Sequence, residues 1–163
     1  MESPNRKNIR LGNYNYSQSS IYFMTICTHN RMKVLSKIVG CGFHSAPLIK
    51  LTSIGNCIEE TIQYINEHYI NVTIDKYVIM PNHIHLLVNV DSGGRGNPPL
   101  PSVIGQLKSD TTKLYNDIEQ TNNLILWQRN YHDHIIREEC DYQNVWNYID
   151  TNPLKWQEDK YYK

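Results

Sequence analysis

Apolar residues follow two rhythms along this chain. Residues 20–28 (SIYFMTICT) form a dense run of β-branched and aromatic side chains, which predicts a buried strand. After a Gly- and Pro-bearing break at 40–47, Ile54, Ile58, Thr61, Ile65 and Tyr69 recur every three or four positions, as on one helix face, with Glu59, Glu60 and Glu67 off that stripe. Residues 72–80 and 83–90 (HIHLLVNV) are strand-like again, and Pro81-Asn82 between them predicts a tight hairpin. Residues 91–101 (DSGGRGNPPLP) hold three glycines and three prolines and predict an exposed connection; no Walker lysine follows, so it is not a P-loop. Ser102 then stands where it would cap a helix whose stripe is Val103, Leu107, Thr111, Leu114 and Ile118, with Lys108 and Lys113 outside it. A short strand within 131–137 and a helix over 138–152, halted or kinked by Pro153, complete the pattern.

The order is β-α-β-β-α-β plus one helix, which predicts an α+β fold: a ferredoxin-like antiparallel sheet with two helices on one face. The other face stays open for a site, and the last helix is free to lie there. A length of 163 residues predicts a single domain over 1–163, with 1–19 as a basic N-terminal segment. No eighteen apolar residues run together and the N-terminus lacks the apolar core of a signal peptide, so the expectation is a cytoplasmic protein with no membrane partner. The four cysteines form no C-x-x-C pair and are expected to be reduced thiols; a zinc set of Cys27, His29, Cys41 and His44 matches no common module spacing.

Sixteen basic and sixteen acidic residues cancel, which by itself discourages a nucleic-acid reading. The cancellation is uneven. Residues 1–50 carry seven basic side chains and one acid, whereas the remainder carries nine and fifteen. Arg6, Lys7, Arg10, Arg31 and Lys33, interleaved with Tyr14 and Tyr16, are therefore a candidate phosphate track with aromatic rings for unpaired bases, and Lys108 is a further candidate.

The chemistry concentrates in two places. His83 and His85 flank Ile84 on a strand, so both imidazoles project from one face, as two ligands of a single divalent metal would. Cupins and amidohydrolases use the same H-x-H, but neither an all-β fold nor a (β/α)8 barrel suits this chain. On the last helix, Tyr142, Val145, Trp146 and Ile149 make the core stripe; Tyr148 lies off it, one turn before Asn152, whose amide can ligate a metal.

Three segments, YVIMPNHIHLLV (77–88), WQRNYHDHIIR (127–137) and NYIDTNP (147–153), together resemble the single-tyrosine HUH transposases, and most of all the REP-associated tyrosine transposases. The resemblance runs from the first strand to Trp156 and keeps the family's motif order. It implies a ferredoxin-like fold and a tyrosine nucleophile, matching Tyr148, that cuts and rejoins single-stranded DNA beside hairpins through a 5′-phosphotyrosine. It also implies a Mg2+ or Mn2+ ion on His83, His85 and Asn152, and a monomer or homodimer. Tyr131 and Tyr115 are reserve nucleophiles. The competing readings are a rolling-circle replication initiator or relaxase, and a non-catalytic nucleic-acid-binding regulator.

Overall fold

A computed structural model describes residues 19–40, 47–91 and 98–162. Strand β1 (Ser20–Cys27) leads through a 3-10 turn at His29–Arg31 to a small hairpin, β2 (Ser36–Val39) and β3 (Leu48–Leu51). Helix α1 (Ser53–His68), β4 (Val72–Ile79), β5 (His83–Val90), α2 (Leu100–Ile118), β6 (His132–Ile136) and α3 (Glu139–Thr151) follow, and a 3-10 segment, Asn152–Glu158, closes the order. The sheet runs β4-β5-β1-β6 with every neighbouring pair antiparallel, the strand order of the expected ferredoxin-like plan.

Strand alternation separates two interiors. Tyr22, Met24 and Ile26 of β1 with Ile84, Leu86 and Val88 of β5 face α1 and α2, where Ile58, Ile62, Val103, Ile104 and Leu107 meet them. The opposite face carries His83, His85 and Leu87 of β5, and α3 covers it with Val145 and Ile149. Because β5 is covered on both sides, it reads as a nearly continuous apolar run. A register shift between Ile74 and Lys76 lets Ile74 and Ile79 both face the helices while Val78 and Met80 face α3.

Several expectations need correction. The β2–β3 hairpin was not foreseen; four-residue strands with alternating exposure carry too little periodicity. Helix α2 begins at Leu100 behind Pro99, so Ser102 lies inside the first turn and is not its cap. Its buried stripe runs through Thr111 and Tyr115, leaving Leu114 and Ile118 exposed. On α1 the buried position is Ile62, with Thr61 turned to bond the Cys57 carbonyl. The real helix start is at Thr52, whose hydroxyl accepts from the Gly55 N–H and donates to the Leu35 carbonyl. A Cβ on Gly55 would stand 2.2 Å from the Leu35 carbonyl oxygen, so only glycine fits where α1 crosses the chain entering β2.

Candidate functional site

The site grows from the turn between β4 and β5. Met80 N–H donates to the His83 carbonyl, which closes a two-residue loop at Pro81-Asn82 and places the histidines at once on the α3 side of the sheet. Asn82 is fully buried. Its Nδ2 donates to the Tyr161 carbonyl (2.6 Å), so its Oδ1 must be the atom that meets His83 Nδ1 at 2.9 Å. An acceptor there requires Nδ1–H on His83 and leaves Nε2 with a bare lone pair in the neutral ring. His85 Nδ1 lies 2.9 Å from the Thr25 hydroxyl, and the two Nε2 atoms face each other at 3.1 Å. That gap is the spacing of two adjacent ligands on one ion with bonds of about 2.1 Å.

Both rings are buried to 1% exposure or less, which disfavours their charged forms. Burial lowers His83 to about 4, with Asp159 pulling the other way and Lys160 and Arg31 adding to the fall. His85 is held well below the ordinary imidazole value by burial and by the His83 ring. At neutral pH both are uncharged and able to ligate. Asp159 completes a group whose donor atoms all lie within 4.8 Å of one another.

From the other side, α3 supplies Tyr148 and, directly after its last residue, Asn152. The phenol ring stands 5.3 Å from the His85 ring and edge-on to Phe23 at 5.8 Å. Tyr148 is 39% exposed and opens onto a cleft of about 610 Å³ lined by Phe23, Asn152, Lys155, Asp159 and Lys160 among others. Partial burial, reinforced by Asp159 and Tyr161, pushes its hydroxyl up to about 12, while the Asn152 amide works in the opposite direction. Asn152 itself is buried; its Nδ2 donates to Asp159 Oδ2 at 3.0 Å, and its Oδ1 has no hydrogen-bond partner among the described residues. A carboxylate and a pair of imidazole nitrogens, at least one of them bare, converge, with the Asn152 amide bonded to that carboxylate, and such a donor set fits a divalent cation.

The helix that carries Tyr148 ends where expected, but Pro153 does not release the chain into solvent. The chain continues as a 3-10 segment to Glu158 and folds back over the histidines, with Tyr161 buried 4.6 Å from the His83 ring. Asp159 and Tyr161 are the site residues that sequence reasoning missed. Their segment follows the helix-breaking proline and has no period of its own; the only signal is the clustering of Trp156, Tyr161 and Tyr162 around a single Asp, apolar enough to pack back.

The remaining candidates divide. Arg31 donates to the Lys160 carbonyl at 3.2 Å and lies 5.6 Å from the Tyr161 ring, and Lys33 sits 4.5 Å from the Tyr162 ring. These two cations therefore hold the closing segment. Asn30 and Arg31 reach them through successive left-handed conformations, φ 50 and 54, a strained turn for non-glycine residues. Lys108 donates to the Gln128 and Arg129 carbonyls and ties α2 to the approach to β6. Arg6, Lys7, Arg10, Tyr14 and Tyr16 lie outside the described residues, as do Cys41 and His44 of the zinc alternative. Tyr115 and Tyr131 pack on the helix-covered core, on the far side of the sheet from the histidines.

The family model for IS200-like transposases matches residues 16–152. A Haemophilus influenzae protein described as uncharacterized is 30% identical, covering 96% of this chain and 93% of its own length. A second protein of that organism, named provisionally as a REP-associated tyrosine transposase, is 27% identical over 89% of this chain and 77% of its own. Among solved structures, a REP-associated tyrosine transposase bound to a REP hairpin superposes with a TM-score of 0.63 at 19% identity, covering 90% of this chain and 73% of that one, and shares the fold.

Proposed function

Because the chain belongs to the family of IS200-like transposases, we propose that it cuts and rejoins single-stranded DNA beside hairpins, with Tyr148 as the nucleophile. The observation that carries this reading is the Tyr148 phenol standing 5.3 Å from one ring of a histidine pair whose Nε2 atoms converge at 3.1 Å. The solved relative named with a REP hairpin supports hairpin DNA as the partner.

His83, His85 and Asp159, with the Asn152 amide oxygen, would hold a Mg2+ or Mn2+ ion. Such an ion supplies positive charge that offsets the phosphodiester's negative charge and eases loss of the phenol proton. Its help matters here because a hydroxyl pushed up to about 12 is protonated at neutral pH. Asn82 and Thr25 fix the two imidazoles so that the Nε2 edges stay presented, and Phe23 holds the Tyr148 ring upright against β1. Lys155 and Lys160 line the cleft where a phosphate would enter.

The reaction balances without water or ATP. Tyr148 Oη bonds to phosphorus as the bond to the 3′ oxygen breaks; the phenol loses one proton and the departing 3′ oxygen gains one. A 5′-phosphotyrosine and a free 3′-OH result, and the reverse reaction with another 3′-OH rejoins the strand. The same reading takes residues 1–163 as one domain acting in the cytoplasm as a monomer or homodimer, with the basic N-terminal segment and Lys108 as DNA contacts.

The test is a labelled single strand carrying a hairpin, incubated with protein and Mn2+ or Mg2+ and resolved under denaturing conditions. A covalent protein–DNA band that chelator and Tyr148→Phe each abolish is expected. Absence of that band on every hairpin strand would refute the reading, and a band formed only at a replication-origin sequence would favour an initiator.

A further inference from the structure

The motif HDH at 132–134 has no part in the chemistry above, yet the sheet register aligns it with the histidine pair. Thr25 pairs with His85 on one side and His132 on the other, and Phe23 pairs with Leu87 and His134. Cross-strand partners point to the same face. The rows His85–Thr25–His132 and Leu87–Phe23–His134 therefore carry the site face to β6, an edge strand of the sheet among the described residues. Two clefts lie along these rows. The cleft at Tyr148 shares Phe23 and Lys160 with a smaller one of about 220 Å³, lined further by Thr25, His132, His134 and Tyr161. They form one path leading from the nucleophile to the sheet edge.

From this path we infer a subsite for the unpaired nucleotide next to the scissile phosphate, lying over β1 and β6 between Tyr161 and His134. The inference rests on the proposed DNA reaction and adds where the flanking strand runs. The chemistry suits a nucleotide: Phe23 and the His132 and His134 imidazoles offer ring faces for a base, and Lys160 offers a cation for the backbone at the junction of the clefts. The lining is held in place. Arg31 grips the Lys160 carbonyl, and His134 Nε2 meets Asp141 Oδ2 of α3 at 3.1 Å, fixing the ring at the groove wall.

Fluorescence anisotropy without metal tests this apart from cleavage. The probes are a hairpin oligonucleotide with unpaired thymidine flanks and versions of it shortened one nucleotide at a time from either side. The wild-type protein should lose affinity on the order of tenfold when the nucleotide that fills the groove is removed. The double variant His132→Ala/His134→Ala and, separately, Lys160→Ala should bind long and short flanks alike. An unchanged dependence on flank length in both variants, or none in the wild type, overturns the subsite. If flank dependence appears and is lost in the variants while no Tyr148 adduct forms, the groove stands and the nuclease reading falls.

Discussion

The two faces of one sheet are built for opposite purposes, and strand β5 serves both. Toward α1 and α2 it presents Ile84, Leu86 and Val88, each fully buried among aliphatic partners. Toward α3 it presents His83 and His85, equally buried but surrounded by Asn82, Thr25, Asp159 and Asn152. On the first face burial stabilises by removing apolar surface from water, about 1.5–3 kcal/mol per large aliphatic side chain. On the second, burial works against charge: it strips protons from the imidazoles, keeps one on Tyr148 and leaves an amide oxygen without a partner among the described residues. The polar face forgoes stability for a set of acceptors that a cation would satisfy, and the apolar face provides the stability that permits this.

Substitutions on the two faces should therefore separate activity from stability. The largest effect expected is on the site face: His85→Gln should lower adduct formation by about a thousandfold and remove the rise in melting temperature expected of the wild type on adding Mn2+, while costing less fold stability than Leu86→Ala. Equal destabilisation by both variants in urea titrations would erase the distinction between the faces. Next, Leu86→Ala should cost about 2–5 kcal/mol of unfolding free energy with adduct chemistry retained under folded conditions. Gly55→Ala, whose Cβ meets a backbone oxygen that cannot swing away, should cost about 1–3 kcal/mol, again by denaturant midpoint.

The last effect is in pH. His83 is about 4 when folded against 6.5 for the free ring, so the unfolded chain binds more protons between those values. Stability should fall as pH drops from about 6.5 toward 4, and His83→Gln should flatten that slope. Tyr148 has the opposite arrangement, folded value above unfolded, and should cost stability as pH rises from 10 toward 12. Melting temperatures across both ranges for wild type, His83→Gln and Tyr148→Phe measure the two contributions.

The sheet, its three helices and the histidine pair were legible because each rests on a local period or a turn. HIHLLVNV and the Pro81-Asn82 step define a strand and its start, which fixes the face of both imidazoles. Tyr148 and Asn152 were legible as one helical turn of a polar face, and both line the same cleft. What stayed hidden depends on contacts distant in sequence. Asp159 and Tyr161 reach the histidines only because Arg31, in a left-handed turn, and Asn82 bind the closing segment's carbonyls. No window of the sequence contains both halves of those bonds. The α2 stripe was misread for a related reason: Tyr115 points inward and Leu114 outward, and an aromatic beside a leucine gives periodicity nothing to choose between.

The most direct test of the site-face account is the identity of the residue joined to DNA. A hairpin-bearing single strand reacted with the wild-type protein and Mn2+, then digested and sequenced by mass spectrometry, should yield one nucleotidyl peptide with the phosphate on Tyr148. Phosphate on Tyr115 or Tyr131, which lie against the helix-covered core, or no joined peptide at all, would contradict it.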